Sequence, residues 1–130
     1  MTSTHIVVWE PHPYWVPELQ RVLVDQDVRI CGCLSDDDVS GQLDSGAGTL
    51  VVALGSEQRL PLASLAQWIG RGAGVHIVLS SAQAAFRWLL MEQGAASVFD
   101  QAQARRLLGR HIRQTIFGTA APAVTRSNFR

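Results

Sequence analysis

The sequence predicts an α/β domain in which five parallel strands form one sheet covered on both faces by five helices. Three observations carry this prediction. Five short, apolar runs of strand length recur along the 130 residues. Between them lie segments whose apolar residues return every three or four positions, as in a helix with one buried face. The two kinds of segment alternate, and such alternation makes parallel pairs joined by right-handed crossovers. Periodicity alone leaves the strand order open among a small set of topologies that includes nucleotide-binding variants.

The elements follow in order. Residues 6–9 are an apolar run ending at Glu10-Pro11 and read as the first strand. A helix over about 14–24 carries Val16, Leu19 and Leu23 on one stripe. Pro17 is tolerated there in the first turn, where a missing N–H costs little. Residues 28–34 are the second strand. Ser35 then caps a short helix whose first turn holds Asp36, Asp37 and Asp38, well placed against the helix dipole. Val39 and Leu43 form its thin apolar stripe. Residues 50–54 are the third strand, followed by a helix over about 60–69 with Leu62, Leu65, Ala66 and Ile69 on one face. Gly70, Gly72 and Gly74 end it. Residues 75–79 are the fourth strand. Ser80 and Gln83 open the next helix at capping-box spacing, and it runs to Met91 or Glu92 with Gly94 as its C-cap residue. Residues 96–99 are the fifth strand. The last helix, about 103–116, holds Ala104, Leu107, Leu108, His111, Ile112 and Ile116 on one side, with its arginines mostly elsewhere. Residues 1–117 thus read as one domain, and 118–130 as a linker or tail.

Composition removes several function classes. The formal net charge is zero, so no global field draws the chain to nucleic acid or to an anionic membrane. All eleven basic residues are arginine. Without lysine there is no Schiff-base chemistry and no phosphate-binding loop of the lysine-bearing type. The glycine fingerprint for a dinucleotide is also missing after the first strand, where Glu10-Pro11-His12-Pro13 stands. Cys31 and Cys33 lack a second Cys/His pair at zinc spacing and read as ordinary buried cysteines. No metal and no cofactor is expected. No apolar run is long enough to span a bilayer, and the first residues lack a basic stretch followed by an apolar segment. The expectation is a cytoplasmic protein.

Three local stretches narrow the fold. Val7-Val8-Trp9-Glu10-Pro11-His12-Pro13, Ile77-Val78-Leu79-Ser80-Ser81-Ala82 and Gly94-Ala95-Ala96-Ser97-Val98-Phe99 stand in order and at suitable intervals. Together they resemble the first strand, the fourth strand and the approach to the fifth strand of response-regulator receiver domains. The resemblance implies a flavodoxin-like (CheY-like) sheet of order 2-1-3-4-5. It also implies a site at the carboxyl edge of that sheet. There, acids after the first strand hold magnesium, an aspartate on the third accepts a phosphoryl group, a hydroxyl follows the fourth and a lysine follows the fifth.

Set against that pattern, the chain is degenerate. The acidic positions fall on Glu10 and Pro11, the phosphoacceptor on Leu54 or Ala53, the hydroxyl on Ser80, and the lysine on Gln101 or Asp100. The sequence therefore reads as a phosphorylation-independent receiver-like module acting through protein–protein interaction or dimerisation, the regulatory part of a two-component or transcriptional regulator. Its expected contact face spans the fourth helix, fifth strand and fifth helix, with Arg87, Trp88, Met91, Arg105, Arg106, Arg110 and Arg113; arginine and aromatic side chains are common interface anchors. Core packing beside Leu89 is an equal alternative for Trp88, and for the arginines a solvated helix face is the favoured reading, since exposed charges are the norm. An output domain would follow the tail, and neither membrane nor direct nucleic-acid contact is expected. The alternative is a small-ligand sensor with a pocket built from Glu10, His12, Ser80, Ser81 and Asp100, to which Trp9 and Gln101 are neighbours. An enzyme is disfavoured because no nucleophile–base pair stands at a defined spacing.

Overall fold

The computed structural model describes residues 4–118. Its elements are β1 (Thr4–Trp9), α1 (Trp15–Val22), β2 (Val28–Cys33), α2 (Asp36–Asp44), β3 (Thr49–Ala53), α3 (Leu62–Gly70), β4 (Gly74–Leu79), a 3₁₀ segment (Ser81–Phe86), α4 (Arg87–Glu92), β5 (Ser97–Asp100) and α5 (Gln101–Phe117). The five strands pair in parallel in the order 2-1-3-4-5. The expected architecture and strand order are both present. The expected tail over 118–130 lies outside the described residues apart from Gly118.

Alternate strand residues feed two separate cores, as the period of a strand requires. Ile6, Val8, Val51, Ala53 and Val78 point to one face and pack against Trp15, Leu19 and Leu23 of the α1 region and Ala104, Leu108 and Ile112 of α5. Val7, Leu50, Val52, Ile77 and Leu79 point to the other face, against Val39, Leu43, Leu65, Trp68 and Leu90. Continuously apolar strands arise because the sheet is covered on both sides. Trp15 and Trp68 are both core residues.

Several element boundaries differ from the sequence expectation. The helix expected from 80 to 91 is split: six residues are wound as 3₁₀ and only six as α-helix. Gln83 turns into the protein at the start of this segment instead of serving only as a local cap. α5 begins two residues earlier than expected, at Gln101, since Asp100 accepts from the Gln103 N–H at 2.8 Å and so caps it. On α3 the buried stripe is Leu65 and Trp68, while Ala66 is exposed. Ser35 caps α2 as expected, accepting from the Asp38 N–H at 3.1 Å.

Two glycines set close approaches. Gly94 has φ 106°, the left-handed region that glycine enters without penalty. A Cβ there would also lie 3.2 Å from Ile69. At Gly109 a Cβ would meet Val22 at 3.2 Å, so the absent side chain lets α5 lie close against α1.

Candidate functional site

The carboxyl edge of the sheet gathers the residues that the sequence nominates, but gives Glu10, Ser80 and Asp100 structural work. Glu10 follows β1 and is buried. One carboxylate oxygen accepts from the backbone N–H of Tyr14 (3.0 Å) and Trp15 (2.9 Å), and the other from that of Val16 (3.1 Å). The first turn of a helix leaves such N–H groups without intrahelical partners, and Tyr14 at the N-cap position supplies no side-chain acceptor. Glu10 therefore caps α1 from outside it, and its charge sits at the positive end of the helix dipole.

Ser80 is likewise committed. Its hydroxyl and its backbone N–H both donate to Gln83 Oε1, the latter at 2.9 Å. The Gln83 amide nitrogen then donates to the carbonyls of Gly55 (3.2 Å) and Gln58 (2.8 Å), while Gln58 Oε1 accepts from the Gly55 N–H at 2.6 Å. The two segments that follow β3 and β4 are thereby held as one network, whose buried members are all hydrogen-bonded. Asp100 caps α5. Ser81 and His12 are exposed, and Gln101 opens α5 at the surface.

A depression of about 230 Å³ lies at this edge. Ala53, Leu54 and Val78 are apolar lining residues, together with Pro11 and Trp15; Glu10, His12, Tyr14, Gln101 and Arg105 complete the wall. The pocket expected from the sequence is corrected in its membership. Glu10, His12 and Gln101 line it, whereas Ser80, Ser81, Asp100 and Trp9 do not. Tyr14 and Arg105, which the sequence did not nominate for it, do: the Arg105 guanidinium lies 5.1 Å from the centre of the Tyr14 ring. The lining does not fit a magnesium ion, which takes several hard oxygen ligands. Its single carboxylate is already shared among three N–H groups, and the side chains at Pro11 and Leu54 offer no oxygen.

The arginines expected on one contact face divide between two sides of α5. Arg113 forms a bidentate pair with Asp25 (2.8 and 2.6 Å) and also donates to the Val22 carbonyl, fastening α5 to the α1–β2 connection. That pairing brings the Asp25 carboxyl down to about 2. Arg105 turns to the same flank, over Tyr14. Arg106 and Arg110 are exposed, and Arg87 reaches Gln103 at 3.5 Å. Around α4, Trp88 is 76% exposed, Met91 45%, and Phe86 and Leu89 38% each. The core alternative for Trp88 is thereby removed.

One further polar cluster escaped the sequence reading. His76 on β4 is 1% exposed, and its Nδ1 lies 2.8 Å from the hydroxyl of Ser97, its partner on β5. The His111 ring packs edge-on against it at 5.4 Å. Burial, with His111 adding a smaller effect, pushes the His76 imidazole down to about 4. In an apolar strand the only sequence signal was its place in a run of otherwise hydrophobic residues.

No family model and no curated protein matches the chain. Solved structures do. The chain is similar to the receiver domain of the TMAO respiratory system response regulator TorR, with a TM-score of 0.72 at 16% identity over 88% of this chain and 97% of that one. It is similar to the CheY-like protein TadZ from Pseudomonas aeruginosa PAO1, with a TM-score of 0.64 at 21% identity over 95% and 100%. It is also similar to the RcsB response regulator of Salmonella typhimurium, a structure concerned with conformational dynamism for DNA interaction, with a TM-score of 0.68 at 10% identity over 91% of this chain and 62% of that one. These likenesses establish a CheY-like receiver fold.

Proposed function

We propose that this chain is a receiver-type signalling module that works by protein contact and not by phosphoryl transfer. One observation carries the reading: where a receiver would place its phosphoacceptor, the pocket wall is the hydrocarbon of Ala53 and Leu54. Neither side chain can form an acyl phosphate. The neighbouring Glu10 is occupied as a helix cap, and the sequence offers no lysine to read a phosphoryl oxygen. On this proposal the module is regulatory, with no enzymatic activity and no resident metal.

The contact surface proposed is the side of the fold formed by α4, β5 and α5. Phe86, Trp88, Leu89 and Met91 each expose apolar area there, and exposed apolar area gathered on one short segment supports a site of association. Arg87, Arg106 and Arg110 are the arginines retained in this surface; Arg105 and Arg113 are assigned to the α1 flank. Self-association is the proposed use, coupling the module to an output domain in a longer two-component or transcriptional regulator. The relation to RcsB supports that arrangement, since there the matched part is 62% of the chain.

The test is intact mass and sedimentation velocity with and without acetyl phosphate and magnesium, on the natural sequence and on Trp88→Ala. The expected result is no gain in mass, no response of assembly to acetyl phosphate, and a dimer that Trp88→Ala weakens. A phosphoryl adduct that shifts assembly would overturn the reading.

A further inference from the structure

We infer that the depression at the carboxyl edge binds a small organic acid, a single ring or short branched chain bearing one carboxylate. Its capacity of about 230 Å³ lies below the roughly 300–1,000 Å³ of sites for drug-sized ligands, which limits the occupant to a compact molecule. Ala53, Leu54, Val78 and Trp15 offer that molecule apolar contact and nothing that reacts with it.

Charge at the rim selects an acid. Glu10 lines the depression, but both its oxygens accept N–H groups of α1 and its charge is offset by the helix end. Arg105 is in the opposite condition. Arg21, Arg71 and Arg113 each hold a carboxylate; Arg105, like Arg29, Arg59, Arg87, Arg106 and Arg110, has none within ion-pair distance among the described residues, and of these it is the one that lines the depression. Its guanidinium instead lies over the Tyr14 ring, an attraction that draws it to the rim without using its N–H groups as an acid would. A guanidinium is matched to a carboxylate by two parallel hydrogen bonds. An amine would meet like charge there, and a neutral ligand would leave the guanidinium unused. The inference goes beyond the contact reading and does not rest on the α4 surface.

The experiment is amide chemical-shift titration of the whole chain with benzoate, benzamide and benzylamine. Benzoate is expected to shift His12, Gly55 and Gln101 saturably, with a Kd of about 1 mM or tighter. Arg105→Gln is expected to weaken it about tenfold, while Arg110→Gln, an equal change of charge outside the depression, leaves it unchanged within twofold. Benzamide or benzylamine binding as tightly as benzoate overturns the inference, as do indifference to Arg105→Gln and the absence of any saturable shift. Trp88→Ala is titrated in parallel and should bind benzoate as the natural chain does. Failure at the depression is thus read separately from failure at the α4 surface.

Discussion

The carboxyl edge of the sheet and the surface around α4 are built on opposite terms. At the edge, polar groups are numerous and several are employed in holding backbone. Glu10 caps α1, Asp100 caps α5, and Ser80 joins Gln83 and Gln58 in tying two loops together. Around α4, a short helix following a 3₁₀ segment presents apolar side chains to the outside. Buried polar groups must be satisfied, so their removal costs stability. Exposed apolar groups contribute little to the folded monomer, so their retention asks for another explanation. The contrast teaches that side chains which look chemical in the sequence can be architectural, and that side chains which look like core can stand exposed.

The largest effect expected on either side is at Glu10. Glu10→Ala removes the acceptor of three N–H groups, at about 1–2 kcal/mol each, and should lower unfolding free energy by about 4 kcal/mol in urea titration. A loss below about 0.5 kcal/mol, the level of an ordinary surface change, would break the contrast by showing Glu10 to be a free acid. Next is the buried imidazole beneath the α4–β5–α5 side. The folded His76 titrates near 4 and the unfolded one near 6.5. Since the folded value is the lower, the unfolded chain takes up the proton first as pH falls, and stability is lost from about pH 6.5 down to about 4. The loss should approach about 3 kcal/mol at its lower end. His76→Val should flatten that slope in urea titrations run across the interval; an unchanged slope would show that His76 is not its source.

Smaller is the effect of Gly94→Ala, which forces a side chain into a left-handed position and toward Ile69. We expect about 1–2 kcal/mol of destabilisation, read as a fall in Tm. Smallest is Trp88→Ala, expected to change monomer stability by no more than about 0.5 kcal/mol while altering assembly. A loss of several kcal/mol in dilute monomer would mean that Trp88 belongs to the core, and the comparison between the two regions would collapse.

Much of the fold was legible because its signals are local. The apolar runs of β1 to β5, the Ser35 cap and the helical stripe of Ala104, Leu108 and Ile112 can each be read within a dozen residues. The site was legible in location and not in role. Glu10 acts as a cap from four to six positions upstream of the N–H groups it serves, beyond the usual N-cap pattern. Gln83 reaches partners 25 and 28 residues away, a contact that only the tertiary fold creates. The division of the arginines was available in principle. Residues 105, 109 and 113 recur every four positions, and the glycine at the middle of that row marks where a neighbouring helix comes close. Its side chains therefore face α1, while Arg106 and Arg110 fall on a different row.

The clasp among Ser80, Gln83, Gly55 and Gln58 has a consequence for information flow. A switch needs two arrangements of comparable free energy and an input that prefers one of them. Here the hydroxyl and the loops around the carboxyl edge are fastened to each other, which favours one arrangement over any alternative. On the function proposed above, a module of that kind conveys its message through how many copies are present and what they meet, so its dose, more than any mark placed upon it, would be the signal.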